Sequence, residues 1–71
     1  MSFETRQAAL QALSDTELIA EYIRRCRQFR EAYGFEKDGR RRGYQEAWLE
    51  INNRGLQLQA EQERAASNAA K

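Results

Sequence analysis

A chain of 71 residues makes one domain at most and buries only about 60% of the surface its unfolded form exposes, so its core is thin and oligomerisation is a natural remedy. With 41% hydrophobic residues and seven aromatics the composition excludes a disordered chain, and the absence of proline with few glycines, valines and threonines argues for helices over strands. A net charge of +1, a single cysteine (Cys26) and no histidine exclude an intramolecular disulfide framework, a histidine-based metal site and a histidine base.

Ser2 is placed to cap a first helix over about residues 3–12, on which Phe3, Arg6, Leu10 and Leu13 lie near one face, diluted by Ala8, Ala9 and Ala12. Ser14-Asp-Thr-Glu17 is a capping box, with Leu13 ahead of it able to staple against Leu18. It opens a second helix over about residues 15–33. Along it Ile19, Tyr22, Cys26, Phe29 and Tyr33 follow spacings of three and four, broadened by Leu18 and Ile23, which predicts one packing face. Gly34 reads as a left-handed C-cap, with Phe35 folding back onto Phe29 or Arg30.

Residues 34–38 form the connection to a third helix over about 39–65, capped by Asp38. Its seam runs through Tyr44, Trp48, Ile51, Gly55, Leu58, Gln62, Ala65 and Ala69, and a second ridge through Leu49, Leu56 and Ala60. Two ridges predict two neighbours: helix two, and either helix one or a second copy of the chain. The tail to residue 71 has nothing large to bury and is expected to fray. The short connection predicts that helices two and three run antiparallel, giving an all-α helical hairpin crossed by the short N-terminal helix in a single domain over 1–71. It would assemble as an oligomeric helical bundle through Leu49, Leu56, Gly55, Trp48 and Tyr44.

Charge is unevenly distributed. Residues 1–23 carry one base and four acids, residues 24–42 eight bases and three acids, and residues 43–71 three bases and four acids, so a +5 island lies between acidic flanks. Ten of the twelve bases are arginine, whose planar fork suits phosphate and carboxylate. Arg40-Arg41-Arg42 falls where the first turn of helix three is expected, the positive end of the helix dipole, so a bound anion would offset their mutual cost. Solvation, or pairing with Glu36, Asp38 and Glu46, accounts for the same run without a ligand. With Lys37, Phe35, Arg30 and Arg27 these arginines make the candidate partner or anion surface at the hairpin tip. Phe29, Tyr33, Tyr44 and Trp48 are read as core, although rings among arginines also suit base stacking.

Gly39, Gly43 and Ala47 form a ladder of small residues continued by Gly55, whose place in mid-helix predicts a large neighbour crossing over it. Cys26 reads as apolar filler. Nothing in the chain has the spacing of a metal site, a nucleophile elbow or a phosphate loop, so no cofactor, no metal and no enzyme activity are expected. No run reaches a membrane span, and the first residues lack the order of a signal peptide, which predicts a cytoplasmic protein. Arg42-Gly43-Tyr44-Gln45 resembles a four-residue stretch of the ribosome modulation factor family, basic helical ribosome binders; the rest of that family's pattern is absent and no role is carried over. The function expected is a small regulatory or inhibitory binding protein, of the kind phages and mobile elements carry, that engages a larger protein with an acidic surface. Nucleic acid or a phosphorylated ligand is the second class of partner, and a purely structural homo-oligomer the third.

Overall fold

A computed structural model describes residues 2–69. They form four helices, α1 Phe3–Gln11, α2 Asp15–Glu31, α3 Glu36–Arg54 and α4 Gln57–Ala69, with no strand among the described residues. None of these helices is long and apolar enough to cross a membrane. The Cα envelope measures 35 × 32 × 14 Å, about two helices deep.

The start signals act as their chemistry requires. The Ser2 hydroxyl accepts the Thr5 amide at 3.3 Å, and the Ser14–Glu17 box is closed in both directions at 3.2 and 2.9 Å. The hydrogen bonds from Ser14 hold the Glu17 carboxyl below its usual range. Buried apolar side chains come from all four elements or their junctions: Leu10, Leu18, Ile19, Tyr22, Ala47, Ile51 and Ala60, with Leu13, Ile23, Cys26, Tyr44, Trp48 and Leu56 packed against them. Contacts between α2 and α3 join Tyr22 to Trp48 (ring centroids 5.2 Å), Arg25 to Gly43 and Phe29 to Tyr44 (5.2 Å).

The structure departs from the sequence reading at three points. First, α2 ends at Glu31, because Ala32 turns extended (ψ 153°). Tyr33 therefore leaves the helix and, expected in the core, is 86% exposed. Gly34 does adopt the left-handed conformation (φ 60°), but Phe35 stands 91% exposed instead of folding back onto Phe29 or Arg30.

Second, α3 begins at Glu36, with Phe35 rather than Asp38 at its cap position and no side-chain cap. Glu36 and Asp38 occupy its first turn, where the helix dipole favours them, and Arg40–Arg42 lie a turn further on. The dipole penalty that suggested a bound anion at those arginines is therefore largely absent.

Third, the expected helix 39–65 is broken at Gly55. Its φ of 71° ends α3, the Gly55 amide donates to Asn52 O at 3.1 Å and the Leu56 amide to Ile51 O at 3.0 Å, the two bonds of a Schellman turn. Leu56 packs onto the core, as that motif requires of the residue after the glycine. No large side chain crosses Gly55; a Cβ there meets nothing within 4 Å, so its backbone angle and not its size selects glycine. The break resets the helical phase: Ala60 is fully buried while Leu58 is 69% exposed. Residues 63–69, expected to fray, continue α4, and the expectation for residues 70 and 71 lies outside the described residues.

Arginines join the helices. Arg6 grips the buried carboxylate of Glu46 with hydrogen bonds of 2.9–3.1 Å, tying α1 to α3. Arg54 spans from Glu50 (2.9 Å) to Asp15 (3.0 Å) and donates to the carbonyls of Leu10 and Gln11 at the end of α1. Arg64 donates to the Tyr22 hydroxyl at 3.2 Å, fastening α4 to α2. Burial and a hydrogen bond with Cys26 push that phenol up to about 12.

Candidate anion and partner interface

The α2–α3 turn carries the exposed rings of Tyr33 and Phe35, and the first two turns of α3 extend from it. Lys37 Nζ lies 5.1 Å and Arg41 Cζ 5.5 Å from the centroid of the Phe29 ring, so two cations share one aromatic side chain. Phe29 is fixed in turn by Tyr44. Among the described residues Arg40 reaches Gln28 alone, at 3.4 Å.

Ion pairs among the described residues join Arg6 to Glu46, Arg24 and Arg25 to Glu21, and Arg54 to Asp15 and Glu50. Lys37, Arg40, Arg41 and Arg42 take part in none of them. The pairing of Arg40–Arg42 with Glu36, Asp38 or Glu46 that the sequence allowed does not form, since Glu46 is held by Arg6 and the other two carboxylates make no ion pair.

Arg27 and Arg30, included in the candidate surface from sequence, also reach α4. Arg27 donates to Ser67 Oγ at 3.2 Å and Arg30 to Asn68 Oδ1 at 3.1 Å, so both hold the last turns of α4. Beneath Arg30 and Arg64 a hollow of about 340 Å³ is walled by Ile23, Cys26, Phe29 and Tyr44.

A second concavity, of about 330 Å³, opens between α2 and α3. Arg24 and Arg25 line it from α2, Arg40 and Arg42 from α3, and Arg6 from α1, with Gly39 and Gly43 along one wall. Sequence reasoning missed this grouping. The i, i+4 spacing of Gly39 and Gly43 was visible, but Arg6 enters from a residue 40 positions away from its partner Glu46, a distance no local pattern encodes. Glu21 and Glu46 also line the cleft and both are engaged. Burial works against ionisation of Glu21, yet hydrogen bonds from Arg24 and Arg25 outweigh it and hold the carboxyl below its usual range. Arg25 also donates to Gly43 O at 2.8 Å, bracing one side of the cleft against the other.

Of the residues expected at an oligomer contact, Tyr44, Trp48 and Leu56 pack inside the chain and Gly55 ends a helix. Leu49 alone remains half exposed, beside Phe3 in a shallow groove between α1 and α3. Neither a family model, a curated protein nor a solved structure matches the chain.

Proposed function

We propose that this chain is a small, non-enzymatic, cytoplasmic regulatory or inhibitory binding protein, in the manner of phage and mobile-element accessory proteins. In this reading α2 and α3 form an antiparallel hairpin whose tip covers an acidic surface on a larger protein. The observation that carries the reading is the exposure of Tyr33 and Phe35, 86% and 91%, beside four cations that have no carboxylate partner among the described residues. A thin core leaves little reason to spend two large rings on solvent, and tyrosine, phenylalanine and arginine are the side chains enriched at the centres of protein interfaces. Carboxylates on the partner complement the unpaired cations and favour fast, steered association.

A photo-crosslinking residue in place of Tyr33, in the native host, tests this directly. A discrete protein adduct is expected, lost when Arg40, Arg41 and Arg42 are all changed to Glu at unchanged helicity. An adduct that survives the triple reversal removes the tip from consideration. Nucleic acid in its place, with affinity falling steeply between about 50 and 200 mM salt, overturns the protein reading in favour of phosphate recognition.

Self-association is part of the same proposal, now narrowed to Phe3 and Leu49, the half-exposed apolar side chains of the groove between α1 and α3. Leu49→Asp is expected to reduce the sedimenting mass without loss of helicity. An unchanged profile counts against assembly through that face.

A further inference from the structure

We infer that the cleft between α2 and α3 is a binding site for a compact diphosphate group, such as the terminal diphosphate of a nucleotide. Five guanidinium groups from three helices meet there: those of Arg6, Arg24, Arg25, Arg40 and Arg42. The two carboxylates in the cleft, Glu21 and Glu46, are already engaged by Arg24, Arg25 and Arg6. Five cations against two anions leave the cleft at +3. One partner carboxylate leaves most of that charge standing, whereas a terminal diphosphate, carrying roughly −2.5 to −3 near neutral pH, brings it close to zero.

Part of the hydrogen-bonding capacity of the cleft also remains open. Arg42 makes no ion pair or side-chain hydrogen bond among the described residues, and the one bond of Arg40 is long, at 3.4 Å. Guanidinium forks arriving from opposite walls match the many oxygens of adjacent phosphates better than a single planar carboxylate.

The glycines point the same way. Gly39 and Gly43 sit one helical turn apart on the cleft wall inside α3, where glycine is disfavoured relative to alanine. Packing does not demand them. A Cβ at Gly39 meets nothing within 4 Å, and one at Gly43 meets only Arg25 Cδ at 3.9 Å, while both glycines have ordinary helical φ. What their missing side chains leave is open space beneath the arginines, into which a ligand can settle against the helix backbone.

The cleft shares Arg40 and Arg42 with the tip but not its rings Tyr33 and Phe35, and the test separates the two. Inorganic pyrophosphate and a nucleoside diphosphate are titrated calorimetrically into the full chain at 150 mM salt, with citrate and a short single-stranded oligonucleotide as comparisons. One-to-one binding of both diphosphate probes is expected, weakened at least tenfold by Arg42→Ala and by Gly39→Met. The second variant fills the cleft without changing its charge and improves helix propensity, so lost binding with retained or increased thermal stability identifies the cleft. Tyr33→Ala is expected to leave diphosphate affinity unchanged while impairing partner capture. Wild-type affinity in Gly39→Met, equal affinity for citrate, or binding of the oligonucleotide alone each overturns the inference and leaves the proposal for the tip standing.

Discussion

Replacing Gly55 with alanine sets two architectures against each other, because they predict opposite signs. If residues 39–65 were one helix, alanine would stabilise the chain by about 1 kcal/mol through helix propensity. In the structure Gly55 has φ 71°, and a side chain there costs about 1–2 kcal/mol in left-handed geometry. The smaller freedom of the unfolded alanine chain returns about 0.4–1 kcal/mol of that. No steric clash adds to the balance, since a Cβ meets nothing within 4 Å. The net expectation is a destabilisation of about 1 kcal/mol, which in a chain of this size lowers Tm by about 4–8 °C. Thermal unfolding followed by circular dichroism at 222 nm reads it, with Gly55→Asn as a control expected to lose less because asparagine tolerates the left-handed region. A Tm that rises in Gly55→Ala refutes the Schellman turn and restores the continuous helix.

Other expectations follow from the arginine joints and from Tyr22. Arg6→Ala strands the buried Glu46 carboxylate and is expected to lower Tm more than Arg24→Ala, which breaks a pair at the surface; equal losses in parallel melts would deny Glu46 its dependence on α1. Removing Arg27 and Arg30 together takes away two hydrogen bonds that hold the end of α4, so amide exchange in residues 63–69 should accelerate about three- to tenfold while α2 amides keep their protection. Unchanged exchange there would mean that Leu56, Ala60 and the Arg64–Tyr22 hydrogen bond suffice to hold α4. Tyr22 titrates near 12 when folded and near 10 when unfolded, so its neutral form contributes stability that is complete below pH 10 and lost as pH rises through 12. Urea midpoints of wild type should therefore fall across pH 10–12 relative to Tyr22→Phe, and parallel curves would remove Tyr22 as the cause.

What was legible in the sequence is what a residue and its neighbours within one turn determine. The Ser14–Glu17 box, the Ser2 cap and the stripe Leu18, Ile19, Tyr22 depend on short spacings, and each forms as its spacing requires. Gly55 was misread because its position also fitted a heptad seam, and a seam interprets glycine as a gap to be filled. The stop signal was nevertheless there: Arg54 in the last turn, Gly55, then apolar Leu56, which is the order a Schellman turn needs. Tyr33 continued the apolar spacing of α2, but spacing cannot say where a helix stops, and the extended Ala32 carries Tyr33 off the packing face.

The arginines show the deeper reason why the site was only half visible. Their abundance suggests recognition, yet Arg6, Arg25, Arg27, Arg30, Arg54 and Arg64 each reach a different helix or a residue at least 18 positions away. Where the fully buried large side chains among the described residues are Leu18, Ile19 and Ile51, long side chains that cover apolar surface with their stems and anchor with their heads extend a thin core. On the proposed reading, recognition falls to the cations left over from that work. Arg42 in the cleft and Lys37 and Arg41 over Phe29 engage no carboxylate among the described residues, and Arg40 holds only a 3.4 Å contact. Composition counts all ten arginines alike; only the tertiary fold divides those that join helices from those that engage no carboxylate among the described residues.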